Sequence, residues 1–531
     1  MAQVPQRVLG ALAAAAGLLA PMAEPALAGR FYPDDPIAVT VAPVPTGAVA
    51  SKSIDEFRDF LTQSAKPERR PVVRSQGINT LGEVPDSAWY TNRHGMHRMS
   101  LDELRRGPGD ARAPQPPYEV LALRRDGLTA RLEVRDAAGR VYFLKTDAAK
   151  YPELATAADV IGSRFFYALG FHTPENYLIT AFRAQFQPAP GAMVSGGGSR
   201  KRPMTSKDID GAFDIVPRNH DASYRMMASL RLAGEPVGPF RFSGTRADDP
   251  NDFVPHEQRR DLRGLHVMAA WLNYTDASAP NTLDTVVEEN GIRFLRHHLL
   301  DFDSTLGSDR DQPKDARFGN AFLVPPAHEM LIRMFTFGLY WEPWERADYP
   351  SDSTVGRFES SAFDPERWLT SYPNPAFLSR TLEDEYWAAK LVLAFTDDDI
   401  RAIVETGGHS DPKATEYIVQ ALCQRRIRIG QAYLTRVLAL DRFRVEAGSI
   451  VFDDLREQYG FGTRRQFRYT WSEFDNDRET HSPIAGAVGP HLPRSNAPYL
   501  AVRIEDESDS SKSVTVFVRD GRAVVGLDRT W

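Results

Sequence analysis

Apolar and polar residues alternate in three short runs, YEVLALRR, TARLEVRD and RVYFLKTD, between Tyr118 and Asp147. Alternation puts every second side chain on one face, so each run predicts a half-buried strand. Asp126-Gly127 and the stretch Asp136 to Gly139 separate the runs, and such turn residues predict an antiparallel meander. The period then changes. ELATAADVIGSRFFYALG repeats its apolar positions at three and four, which predicts a helix with Gly170 as its C-cap. ENYLITAFRAQF and YRMMASLRL predict two further strands around 188–212, a Gly-rich and basic stretch that reads as a flexible insertion.

The second half is patterned mainly for helices. HEQRRDLRGLHVMAAWLNY carries a continuous apolar face, and further helices are predicted near 326–337, 381–394, 397–406 and 413–440. TLDTVV, the turn EENG and IRFLRHHLLDF predict a hairpin. Residues 338–378, rich in Trp, Tyr and Pro, predict an ordered loop. After 441 the runs FRYTWSEF, APYLAVRIED, SVTVFVRD and RAVVGL are β-leaning. Ahead of the first strands, 29–53 reads as an extended leader and 54–64 as a short helix. Residues 78–95 read as an ordered irregular loop, SLDELRRG as a capped helical turn, and 107–117 as a linker. The division is therefore 1–28, 29–117, 118–233, 234–440 and 441–531, and the class is α+β.

At 531 residues the chain exceeds one ordinary core. With 42% hydrophobic and 25% charged residues it has the composition of a globular protein. A net charge of −7 argues against a nucleic-acid partner. Residues 1–28 read as a signal peptide. Arg7 is its positive region, VLGALAAAAGLLAPMA its apolar run, and Ala26-Leu27-Ala28 its cleavage site. The run is short and broken by Pro21, which favours cleavage over anchoring. No other stretch has the pattern of a membrane span. The expected location is exported, in a bacterial periplasm or secreted. Cys423 is the only cysteine, which excludes an internal disulfide and a Cys-based zinc cluster, and its helical apolar spacing assigns it to packing.

Candidate chemistry centres on Asp276 to Asp303. Asp276 and Asn281 stand five apart, and an apolar strand then ends in Asp301-Phe302-Asp303. Phosphoryl transfer needs a carboxylate near the attacking hydroxyl, and an amide and a carboxylate to hold magnesium. Asp276, Asn281 and Asp301 supply those groups in chain order, and Lys145 at a strand end supplies a point charge for phosphates. Each has a plain structural alternative: a strand lysine facing water, and Asp and Asn as turn formers. An acid to hold Lys145 is expected in the following helix, where mid-helix Asp159 fits better than Glu153.

LLDFDSTL also matches the haloacid-dehalogenase phosphatase pattern of an apolar run before D-x-D-x-T, and LVLAFTDDD imitates that family's late acidic motif. The first weighs less because 307–380 lacks alternating strands and helices. Thr396-x-x-Asp399 reads as a capping box. His297 and His298 are neighbours on one strand and face opposite ways. His94 and His97 lack a convincing acidic or thiol partner for zinc. Neither a P-loop nor a G-x-S-x-G elbow occurs. Arg200, Lys201 and Arg202 read as a solvated basic loop.

Together these residues resemble the protein-kinase-like superfamily over about 118–440, in its atypical branches: HipA-type, CotH-type and secretory-pathway casein kinases. DDPNDFVPHEQRRDLRGL and DFDSTLGS also resemble segments of secreted bacterial proteins of unassigned role. The resemblance implies a two-lobed fold, a β-rich lobe before a helical one, with a C-terminal β module appended. It implies ATP with Mg2+ or Mn2+, and a protein, sugar or lipid hydroxyl as acceptor. Lys145 would contact phosphates, Asp159 would position Lys145, Asp276 would be the base, and Asn281 and Asp301 would hold metal. Three departures stand out. The phosphate-covering turn has one glycine, Gly127, with Thr129 beside it as a further clamp. The helix acid is Asp159 rather than Glu. Asp303, a further candidate metal ligand, replaces a glycine. The superfamily also holds inactive members, so a pseudokinase binding module is the non-enzyme alternative.

Overall fold

The computed structural model describes residues 29–36, 42–54, 58, 73–110, 113–126, 128–195, 201–323 and 343–531. The signal-peptide segment, the helix expected near 326–337, most of that expected over 54–64, and Gly127 lie outside them.

The three alternating runs form β1 (Tyr118–Asp126), β2 (Thr129–Arg135) and β3 (Val141–Lys145). They belong to a six-stranded sheet of order β4-β8-β3-β2-β1-β5, with β4 at Asn176–Ala181, β5 at Phe186–Pro188 and β8 at Tyr224–Leu230. Only the β1–β5 pair within it is parallel. Val120, Leu132, Val134, Tyr142, Leu144, Met226 and Ala228 form a core on one face. The other face carries Ala122, Arg124, Arg131, Glu133, Phe143, Lys145, Met227 and Ser229, and these line a cavity.

The described residues of the stretch read as a flexible insertion carry regular structure despite their composition. A small hairpin, β6 (Met193–Ser195) and β7 (Lys201–Pro203), leads into a helix at Ser206–Phe213. Ile209, Ala212 and Phe213 of that helix seal the core face of the sheet. Three apolar side chains at helical spacing outweigh the polar surroundings.

An earlier turn of helix, α1 (Leu101–Arg106), has the expected capping box between Ser100 and Glu103. Helix α2 (Leu154–Ala168) follows β3 and is buried along nearly its whole length. Its last residues lead into Gly170, whose φ of 116° is open to glycine. With the insertion helix as α3, α4 (Arg260–Leu272) is the central helix of the second region. It packs on α6 (Leu382–Leu393) and α8 (Pro412–Leu434), and α7 (Asp397–Val404) completes the group; α5 (Pro375–Leu378) is a single turn. α8 stops at Leu434, short of the expected 440, because Leu440–Glu446 pairs as β14 with β15 (Ser449–Asp454).

Between the two regions lies a three-stranded sheet, β11-β10-β9, with β9 at Glu235–Gly238, β10 at Thr282–Glu289 and β11 at Ile292–Leu299. Asn290 and Gly291, both at positive φ, make the two-residue hairpin turn. A two-stranded turn, β12 (Ser308–Asp309) and β13 (Gln312–Pro313), follows it.

The C-terminal residues form a five-stranded antiparallel sheet of order β17-β16-β18-β19-β20: β16 Phe467–Asp475, β17 Thr480–Pro483, β18 Tyr499–Asp506, β19 Asp509–Arg519, β20 Ala523–Arg529. Phe31 inserts between Phe474, Ala501, Phe517 and Val525 of this sheet. Among the described residues no helix is long and apolar enough to cross a membrane. The architecture is mixed α+β.

Candidate active site

Lys145 closes β3 and turns its side chain to the cavity face. Its ammonium donates to Asp159 Oδ2 at 2.7 Å, to Asp303 Oδ2 at 3.1 Å and to Asp301 Oδ1. Asp159 comes from the middle of α2. Its other oxygen accepts from Asn176 Nδ2 at 2.9 Å and from the Phe302 amide at 3.3 Å. One carboxylate thus ties together β3, β4, the helix and the loop after β11. Glu153, the other candidate, has a positive φ and accepts instead from the Ser410 amide.

Asp301 sits just beyond β11 with φ 56°, a left-handed conformation uncommon for a residue with a side chain. The kink lets Asp301 and Asp303 both face Lys145, while Phe302 between them is fully buried against Phe166 and Tyr274. Thr305 fastens the loop to α2: its hydroxyl lies within hydrogen-bond distance of the Ala158 and Phe302 carbonyls. Gly162 makes this approach possible, since a Cβ there would stand 2.8 Å from Phe302 Cβ.

Asp276 and Asn281 lie in the loop between α4 and β10. Asn281 Nδ2 donates to the Asp276 carbonyl at 2.8 Å, leaving its amide oxygen as the donor atom available to a cation. The Asn281 carbonyl accepts from the Leu300 amide at 2.9 Å, which seats this loop beside Asp301. Thr129 is buried at the start of β2 and is not among the residues lining the cavity.

Two cations that sequence reasoning did not single out belong to the same site. Arg131 on β2 lies 3.8 Å from Asp301 and 3.7 Å from Asp303. Lys314, carried back by the β12–β13 turn, is buried and donates to Thr275 Oγ1 and the Ser304 carbonyl. Strand alternation could have shown Arg131 on the Lys145 face. No local signal marks Lys314, because a tertiary turn delivers it.

Burial and charge set the titration of these groups. Burial opposes the Lys145 ammonium, but Asp159, Asp301 and Asp303 outweigh it and hold its pKa above the usual lysine range. Burial also opposes the Asp301 charge, yet Lys145 keeps that carboxyl below its ordinary range. Asp303 goes the other way: burial and the neighbouring Asp301 push it up to about 7. Burial raises Asp159 and Asp276 as well; Lys145 opposes the first, Asn281 and Lys314 the second. Burial pushes Lys314 down to about 8 against the pull of Asp276, Asp309 and Asp303.

The cavity beside these groups has a volume of about 550 Å3, within the range of small-molecule sites. Ala122, Phe143, Met227, Leu283 and Leu300 supply its apolar lining, and Lys145, Asp159 and Asp301 stand at its polar end. Oxygens of Asp159, Asp301 and Asp303 lie within 4.8 Å of one another. An all-oxygen carboxylate set of this kind fits a hard divalent cation such as Mg2+ or Mn2+.

The other candidate motifs are placed elsewhere. Thr396 and Asp399 form the capping box of α7, and Asp399 accepts from Arg98 at 2.9 Å. Asp301 and Asp303 follow an antiparallel hairpin rather than a parallel strand. His297 binds Asp284 at 2.7 Å and stacks on Trp89, whereas His298 pairs with Thr285, so the two do face opposite ways. His94 does have an acidic neighbour, Asp399 at 3.3 Å, supplied by a helix distant in sequence. Cys423 is half-buried on α8, and burial raises its thiol to about 11. Arg202 pairs with Asp208 on the surface.

No protein-family profile and no curated protein matches the chain. Among solved structures it is similar to the Golgi casein kinase with Mn/ADP bound, at 10% identity and a TM-score of 0.27, covering 63% of this chain and 76% of that one. The Golgi casein kinase in a second structure gives 9% identity and the same TM-score, with 64% and 75% covered.

Proposed function

We propose that the chain is an exported, kinase-like phosphotransferase that moves the terminal phosphoryl group of a nucleoside triphosphate to a hydroxyl. The observation that carries this reading is the gathering of Lys145, Asp159 and Asp301 at the polar end of an apolar cavity, with Asp303 against them and the Asp276–Asn281 loop alongside. The apolar lining suits a nucleotide base, and the polar end suits its phosphates.

Asp276 takes the acceptor's proton, and burial, which raises its carboxyl, suits it to that role. Lys145 orients the phosphates as a point charge, and Asp159 holds the lysine in place. Asp301, Asp303 and the amide oxygen of Asn281 are the groups that would hold a divalent cation. When bound, the cation would neutralise charge developing on the phosphate oxygens. Lys314 anchors the loop after Asp303 to Thr275, next to Asp276. The acceptor is a protein, sugar or lipid hydroxyl.

Incubation of the chain from Gly29 onward with γ-labelled ATP and Mn2+ or Mg2+, beside Asp301→Ala, tests this. Label on the protein or phosphate release that disappears in the variant supports the reading, and silence from both proteins overturns it. One observation favours a second reading, a nucleotide-binding module without transfer. The Lys145 ammonium already lies within hydrogen-bond reach of three carboxylates, on the ground a cation would take. That reading predicts an ATP-induced rise in melting temperature with no label.

A further inference from the structure

We propose that Arg124, Arg131 and Lys145 form one anion-binding row that takes the phosphate chain of the nucleotide. The inference deepens the nucleotide reading above and rests on it. Arg124 is directly paired with Arg131 across β1 and β2, and Arg131 with Lys145 across β2 and β3. Directly opposed residues of an antiparallel sheet share a face, and all three line the same cavity. With strands spaced about 4.8 Å apart, the row spans roughly 10 Å.

Like charges directly opposite one another destabilise a sheet, so three in a row call for an anion. Asp301 and Asp303 meet that need at one end, pairing with Lys145 and Arg131. Arg124, at the other end, makes no ion pair among the described residues. The next row on the same face, Ala122, Glu133, Phe143 and Ser229, has a single charge. Cations are therefore concentrated in the row nearest Asp301, with the apolar lining beyond. The guanidinium groups of Arg124 and Arg131 hold the phosphates from the sheet, where a planar fork of donors matches phosphate oxygens.

Calorimetric titration of adenosine, AMP, ADP and ATP with Mn2+ into the chain from Gly29 tests the row, alongside Arg124→Ala, Arg131→Ala and Arg131→Lys. In the unsubstituted protein affinity should rise with each added phosphate. Arg131→Ala should weaken ADP and ATP by roughly ten- to hundredfold, the effect of one charge-assisted contact, and leave adenosine unchanged. Arg131→Lys should recover part of the loss, and Arg124→Ala should weaken ATP more than AMP. Unchanged ATP affinity in both alanine variants overturns the proposal. So does an equal loss for adenosine and ATP, which would mean that Arg131 only holds the sheet together. If the unsubstituted protein binds no nucleotide, the nucleotide reading itself fails. Inorganic tripolyphosphate then decides the row: binding that weakens in the alanine variants sustains it, and no binding overturns it.

Discussion

Asp159 sets one oxygen 2.7 Å from Lys145 Nζ and the other 2.9 Å from Asn176 Nδ2. A buried helix therefore holds a strand-end lysine through a side chain that is itself held. Both side chains are thus held before a ligand arrives, which is how a site is preorganised.

Lys145 keeps three carboxylates compatible, and its removal should be felt as uncompensated buried charge. Lys145→Met should cost about 3–5 kcal/mol near pH 7.5, the range for breaking a buried pair from one side. Chemical denaturation measures this. The gap to the unsubstituted protein should narrow toward pH 5 as the carboxylates take up protons. Mn2+ should raise the melting temperature of the variant more than that of the parent, because no ammonium competes for Asp159, Asp301 and Asp303. A variant indifferent to both pH and Mn2+ would count against the charge cluster.

Asp303 gives the site its own pH dependence. Its carboxyl is raised from 3.8 to about 7 by burial and by Asp301. A raised folded pKa means a contribution to stability that is complete below about pH 4 and lost as pH climbs through 7. Asp303→Asn removes that loss. The variant should gain on the parent between pH 5 and pH 8, by no more than roughly 3 kcal/mol. Parallel pH–stability curves for the two proteins would refute the assignment.

Gly162 tests the fit between α2 and the Asp301 loop. Gly→Ala in a helix interior ordinarily gains about 1 kcal/mol. Here the new Cβ would stand 2.8 Å from Phe302 Cβ and 3.0 Å from Thr305 Oγ1. Overpacking of that kind costs about 1–3 kcal/mol, so it should win. Gly162→Ala should melt lower and show a weaker ATP-induced thermal shift. A more stable variant would mean the contact yields easily.

Phe31 makes the start of the described chain part of the C-terminal sheet. It is 4% exposed and packs against Phe474, Tyr499 and Phe517. Phe31→Ala should cost about 3 kcal/mol, read by hydrogen exchange as faster opening of β16, β18 and β19. Exchange that rises equally throughout the protein would show that the sheet does not open on its own.

Alternation and helical period by themselves determined β1 to β3, α2, α4, the β10–β11 hairpin and the last strands. Each of these is a local pattern whose apolar face must be buried wherever the chain goes. The same alternation already put Arg131 and Lys145 on one face. Local pattern failed where burial came from distant residues. Three apolar side chains turned a polar insertion into α3, and strand pairing cut α8 short at Leu434. His94 gained Asp399 from α7, and a tight turn brought Lys314 back toward the Asp276 loop. Above all, the sequence offered Asp159, Asp301 and Asp303 as separate acids on a helix and a loop. Only tertiary packing, through the absent side chain of Gly162 and the left-handed kink at Asp301, brought all three within reach of one ammonium. Their altered titration follows from that shared burial, which no spacing along the chain encodes.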